Sequence, residues 1–199
     1  MNRVTVAWVA AAAMFAGCAQ VRQPQGGPKD TVPPVLTSAE PVNGSIHFTG
    51  QRIVLHFDER VKLDRVRENL LVSPPMANQP DVVVARGTDV VITLRSPLAP
   101  NTTYTFNLGE AVLDLSEGNP AKDIAFVLST GAYLDSLAIG GQVRDAFSGM
   151  PAANMLVLLH AVKDTGGVRT APPAYFTRTD DSGNFSLTHL RGGMFHINA

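Results

Sequence analysis

The chain has one cysteine in 199 residues, Cys18, and it is the strongest potential nucleophile in the sequence. A single thiol excludes an intramolecular disulfide and a thiolate metal cage. The five histidines, His47, His56, His160, His189 and His196, fall on different predicted strands without the close paired spacing of zinc sites, so they read as surface or strand residues. There is no Gly-x-Ser-x-Gly elbow and no Ser/His/Asp set to nominate. The glycine pairs Gly140-Gly141, Gly166-Gly167 and Gly192-Gly193 precede no helix, which makes them turns and not phosphate cradles. Two carboxylate pairs, Asp58-Glu59 at a strand end and Asp180-Asp181 in a turn, have the chemistry for calcium or for acid–base work. Neither comes with the further oxygen ligands in sequence that an EF-hand loop provides, and aspartate is a normal turn residue. The sequence nominates no catalytic residue, no metal ligand and no cofactor.

The setting of Cys18 is more informative than its reactivity. Arg3 precedes an apolar run from Val4 to Phe15, and the small residues Ala16 and Gly17 stand directly before the thiol. A run of about 12 residues fits the h-region of a secretory signal and is short of the roughly 20 that a membrane-spanning helix needs. Phe15-Ala16-Gly17-Cys18 resembles the bacterial lipobox, with phenylalanine where leucine is commonest. The resemblance implies cleavage after residue 17, acylation of the Cys18 sulfur, and a membrane partner reached through that lipid. One acyl chain binds reversibly, whereas the two or three of a bacterial lipoprotein hold stably.

Composition is that of an exported globular chain. Sixteen basic residues stand against seventeen acidic ones, Arg3 leaves with the leader, and there is no basic run, so nucleic acid is not expected as a partner. The seventeen glycines and fourteen prolines, with heavy use of Val, Leu, Ile, Thr and Phe, point to β-structure. Residues 18–32 are almost free of apolar side chains and broken by Gly and Pro, as in a flexible tether.

Period-two runs follow. Ile53, Leu55 and Phe57 share a face, as do Val90, Ile92 and Leu94; Tyr104, Phe106 and Leu108; and Ile124, Phe126 and Leu128. Tyr104, Phe106 and Leu108 are expected to face inward, opposite Thr103, Thr105 and Asn107. Arg86-Gly87-Thr88-Asp89 between two valine-rich runs reads as a hairpin turn. Leu63 to Leu71, with four charged residues among nine, reads as a helical turn or a crossing loop. Short strands with turn signals at this spacing predict a β-sandwich.

Leu98 to Tyr104 resembles the corner of immunoglobulin-like sandwiches, which implies a structural tyrosine at Tyr104 bonded to the backbone upstream. Pro41-Val42-Asn43-Gly44, the strand ending in Asp58-Glu59-Arg60-Val61, and the closing Phe126 to Gly131 resemble the bacterial Ig-like domain named after the S-layer protein SbsA, over residues 33–131. With Gly26-Gly27-Pro28-Lys29-Asp30-Thr31 behind the cysteine, the chain resembles lipoproteins common in Bacteroidota. After a linker at 132–136, the pattern Gly141 to Ala146, Gly149-Met150-Pro151 and Thr179 to Phe185 resembles the carboxypeptidase regulatory-like domain, a transthyretin-like sandwich, over 137–199. Gly183 there is expected at positive φ. About 60 residues make a marginal core, and the resemblance implies at least one further strand, so this second sandwich is expected to be incomplete within a longer protein.

The expected fold class is therefore all-β, two tandem β-sandwiches behind a cleaved lipoprotein signal peptide. The expected function is a non-enzymatic cell-envelope lipoprotein whose sandwiches act as spacers or as modules binding envelope protein or glycan. The alternative is the anchor and accessory part of a longer cell-surface enzyme. No acidic run follows Cys18, which favours a periplasm-facing outer-membrane location. Thr31 and Ser136, each after aspartate and before an apolar residue at a predicted joint, are candidate acceptors for O-glycosylation of the Bacteroidota type.

Overall fold

The computed structural model describes residues 27–122, 124–162 and 172–199, and from Thr31 to Ala199 the chain forms one compact unit. The described residues of that unit are all-β but for one helical turn. Five strands, β1 (Leu36–Glu40), β2 (Arg52–Phe57), β3 (Val61–Leu63), β4 (Leu71–Ser73) and β5 (Asp81–Ala85), precede β6 (Asp89–Thr93), β7 (Thr103–Asn107), β8 (Val112–Asp114) and β9 (Ala125–Ser129). The turn α1 (Val66–Asn69) lies between β3 and β4. Five further strands follow: β10 (Leu137–Gln142), β11 (Leu156–Ala161), β12 (Tyr175–Arg178), β13 (Asn184–Leu190) and β14 (Phe195–Asn198).

One antiparallel sheet runs β1-β2-β6-β5, and a second runs β4-β7-β9, with β3-β8 as a separate ribbon. The alternation in β2 explains the pairing of layers. Ile53, Leu55 and Phe57 point inward with Val90 and Ile92 of β6, and they meet Val72, Phe106, Phe126 and Leu128 of the other sheet in one buried cluster. Phe106 and Phe126 are fully buried, with ring centroids 6.4 Å apart.

Two departures from simple alternation have visible causes. Val127 and Ser129 of β9 are buried together with Phe126 and Leu128, because residues 43–48 lie along that strand. The Val127 N–H donates to Asn43 Oδ1 at 2.7 Å, Gly44 N–H to the Val127 carbonyl at 2.8 Å, and Phe48 N–H to the Ser129 carbonyl at 2.9 Å. The segment thereby covers what would be an open sheet edge. Thr103, on the outward side of β7, is only 2% exposed, since its Oγ1 accepts the Asp135 N–H at 2.9 Å.

The remaining strands form a two-stranded sheet, β10-β13, and a three-stranded one, β12-β11-β14. Their core is small: Leu159, Tyr175, Leu187 and Leu190, with Ala174 and Phe195 packed against it. All six residues of β10 are exposed. Gly183 has φ +74, and a Cβ there would lie 2.5 Å from the Val143 carbonyl oxygen.

Candidate functional site

The sequence-nominated residues divide between scaffold and surface. Cys18 lies outside the described residues. Thr31 and Ser136 are both exposed. Tyr104 is buried, and its hydroxyl accepts the Ala99 N–H at 3.0 Å, five residues upstream.

One aspartate of each carboxylate pair is taken up by backbone. Asp58 Oδ1 accepts the Val35 N–H at 2.8 Å while the Asp58 N–H donates to the Val35 carbonyl, a two-bond clamp ahead of β1. Asp180 accepts the N–H groups of Ser182 and Asn184 at 2.9 and 2.8 Å. The Asn184 N–H is the main reason its carboxyl sits below the ordinary carboxylate range. Asp181 is exposed beside it.

Sequence reading missed Asp114, whose carboxylate accepts three backbone N–H bonds, more than is seen for any other among the described residues. It is 1% exposed and accepts N–H bonds from Glu117, Gly118 and Asn119 at 2.6, 2.9 and 2.8 Å. Burial alone would raise its pKa, but the Gly118, Asn119 and Glu117 amides outweigh that and bring it to about 2. The signal was the spacing Asp-x-x-Glu-Gly-Asn after a strand, an Asx-type turn.

Of the histidines, His47 and His196 are exposed. His189 lies beside Thr188 Oγ1 at 3.0 Å. His160 is buried, faces His196 in the β11–β14 register, and has no hydrogen-bond partner at Nδ1 among the described residues. Among the described residues no three His, Cys, Asp or Glu side chains form a group able to hold a metal ion.

His56 is different because register brings partners to it from distant sequence. On the outer face of the four-stranded sheet, Ser38, His56, Asp89 and Ala85 make one row across the strands, and Glu40, Val54, Val91 and Val83 make the next. His56 Nδ1 lies 2.9 Å from Asp89 Oδ1, and its Nε2 lies 3.9 Å from Glu40 Oε1. The His56 hydrogen bond is the main cause that lowers the Asp89 pKa, with the Thr88 hydroxyl and the charge of Arg86 adding to it. Over this face lies a groove of about 480 Å³ lined by Glu40, Pro41, Arg52, Val54, His56, Ala85, Arg86 and Asp89. Its lining offers two guanidiniums, two carboxylates, one imidazole engaged by Asp89, and the aliphatic surface of Pro41, Val54 and Ala85.

The model of the bacterial Ig-like domain matches residues 30–130, which are β1 to β9 with the segments that join them. The chain belongs to the bacterial Ig-like domain family. The groove of this Ig-like sandwich thus lies wholly within the matched residues. Among curated proteins none matches the chain. Among solved structures, an L,D-transpeptidase from Mycobacterium smegmatis is similar at 11% identity and a TM-score of 0.36, over 84% of this chain and 77% of that one. The N-terminal part of the bacterial S-layer protein SbsC is similar at 13% identity and a TM-score of 0.35, over 79% of this chain and 44% of that one.

Proposed function

We propose that the chain is a non-enzymatic cell-envelope lipoprotein whose Ig-like sandwich is a rigid spacer and binding module. In this reading Cys18 carries the lipid, residues 18–32 are the tether, and the protein sits on the outer membrane facing the periplasm. The second half is taken as a carboxypeptidase regulatory-like sandwich, the first as the SbsA type, and Thr31 and Ser136 as exposed glycan acceptors.

The observation that carries the reading is the braced joint. Residues 132–136 are tied down through the bond from Asp135 N–H to Thr103 Oγ1. Across the same junction the Arg191 guanidinium donates to the Asn101 carbonyl at 2.5 Å, and the Phe176 N–H lies 3.4 Å from Ser73 Oγ. A polypeptide that serves to hold something at a distance gains from such cross-bonds, because a loose hinge would let its far end wander.

The test is fractionation of the envelope with mass analysis of the N-terminal peptide. A diacylated or triacylated Cys18 in the outer-membrane fraction is the expected result. A soluble product beginning at another residue overturns the proposal. Masses of the peptides covering Thr31 and Ser136 test the glycan assignment separately.

A further inference from the structure

Every residue of β10 is exposed, and β10 is hydrogen-bonded to β13 alone, so one of its edges is open. The ladder fixes which backbone groups stand on that edge. The Val143 N–H donates to the Gly183 carbonyl at 2.8 Å, so Val143 faces β13, and by the period of two so do Gly141 and Ile139. Ala138, Gly140 and Gln142 therefore turn their N–H and C=O groups away from β13. No described residue outside the ladder bonds to those groups. The strand reads Leu-Ala-Ile-Gly-Gly-Gln, without the lysine, proline or other charge that ordinarily blunts an edge.

This edge is complementary to itself. Antiparallel strands exchange hydrogen bonds between residues whose backbone groups face one another, and the three outward residues are spaced evenly about Gly140. Pairing β10 with a second β10 about Gly140 brings all three into register at once: Ala138 opposite the second copy's Gln142, Gly140 opposite Gly140, and Gln142 opposite Ala138. The contact is then the same patch on both copies, the isologous form that closes at two. On the face where Ile139 stands beside buried Leu187, the same register sets Ile139 against the second copy's Gly141, which has no side chain to obstruct it, and Leu137 against Val143. Leu137 and Ile139 are 55% and 39% exposed in the single copy, and the pairing covers them.

We propose that β10 is the contact through which two copies of this chain associate, antiparallel across a two-fold axis at Gly140. No charged side chain lies among the six residues that each copy contributes, so none repels its counterpart. The larger sandwich meets β10 at its Leu137 end, through Thr103 and Asn101. An antiparallel pair puts those two ends on opposite sides of the axis, and the two Ig-like sandwiches extend away from each other. Six residues a side are fewer than the roughly 20–30 of a standard interface, which makes this a weak, reversible dimer. The inference goes beyond the spacer reading and does not depend on the lipid.

The experiment is analytical ultracentrifugation of residues 18–199 carrying Cys18→Ser, which hold the whole compact unit, over a series from about 1 μM to about 1 mM. The expected result is a monomer–dimer equilibrium with no larger species. A138E/Q142E sets glutamate opposite glutamate at two places and A138K/Q142K does the same with lysine, so each is expected to weaken association by about tenfold. An equimolar mixture of the two sets glutamate opposite lysine and is expected to associate at least as well as the parent. The variants' circular dichroism is to match that of the parent. A138C/Q142C treated with copper phenanthroline is expected to give a disulfide-linked dimer, because opposed Cα atoms of a hydrogen-bonded pair lie about 5.5 Å apart, while A138C alone is not. A monomer throughout the series, species beyond the dimer, charge variants that associate like the parent, a mixture no stronger than its components, or no A138C/Q142C dimer overturns the inference. Each of these leaves acylation of Cys18 and the outer-membrane fraction unaffected, so failure here is distinct from failure of the lipoprotein reading.

Discussion

Asp114 shows how one side chain organises a loop. Three consecutive N–H groups converge on a carboxylate that has no solvent, and they keep it ionised down to a pKa of about 2 against an ordinary 3.8. Because the folded value lies below the unfolded one, the stability Asp114 contributes is complete above the unfolded value and is lost as pH falls through the folded one. Acid unfolding followed by circular dichroism is expected to steepen between about pH 4 and pH 2. Asp114→Asn is expected to lower stability at neutral pH and to flatten that part of the curve; an unchanged curve refutes the assignment. Gly183 is the second position where one atom decides. Gly183→Ala places a Cβ 2.5 Å from the Val143 carbonyl at φ +74, and a loss of about 2–3 kcal/mol is expected in urea unfolding. That glycine's conformation was legible in Asp-Asp-Ser-Gly-Asn, since the turn chemistry is local. The turn at Asp114 was marked by Asp-x-x-Glu-Gly-Asn, but the convergence of three amides on its carboxylate was not, because backbone direction sets it and residue type does not record that.

At the scale of elements, the strands that alternate cleanly were readable and their neighbours were not. Ile53, Leu55 and Phe57 declare one buried face by period alone, and β2 buries them as such. The hairpin of β5 and β6 was legible from Arg86-Gly87 between valine runs. The complete burial of β9 was not, because Asn43 to Phe48 covers it from about 80 residues upstream in sequence. The same holds for the groove: His56 and Asp89 are 33 residues apart, and only the β2–β6 register sets them opposite one another. Two substitutions separate core from edge. Phe126→Ala removes a fully buried ring from the two-sheet core and is expected to cost about 3–5 kcal/mol in thermal or urea denaturation. Asn43→Ala leaves the Val127 N–H without its acceptor, with an expected loss of about 1–3 kcal/mol. Hydrogen exchange at Val127 is expected to quicken in Asn43→Ala more than exchange at Phe106 in the middle of the same sheet; equal quickening at both argues for global unfolding and against an edge role.

Over the whole unit, the balance of cores is uneven. Among the described residues, the main cluster of the sandwich of β1 to β9 has seventeen buried hydrophobic residues, whereas the cluster formed by the strands from β10 onward has four. The smaller half lies below the size at which a core alone gives secure stability, so its order depends on what it leans on. It leans on the larger one: Asp135 on Thr103, Arg191 on Asn101, Phe176 near Ser73. Sequence reading placed a joint at 132–136 from its position after the Ser-Thr-Gly close of the Ig-like pattern, yet nothing in those five residues reveals that the joint is bonded, since the acceptor is a threonine on the outward side of β7. Thr103→Val keeps the shape of that side chain and removes its oxygen, leaving the Asp135 N–H without an acceptor; Arg191→Ala removes the second bond. If the two halves move together because of these bonds, nitrogen relaxation of the parent gives one rotational correlation time for residues 36–129 and 137–198. The double variant is then expected to give two, the smaller half tumbling faster, while the near-ultraviolet circular dichroism of Tyr104 and its neighbours stays unchanged. A single correlation time in the double variant shows that packing between β4 and β12 holds the junction without these hydrogen bonds, and the proposed spacer role then rests on that packing.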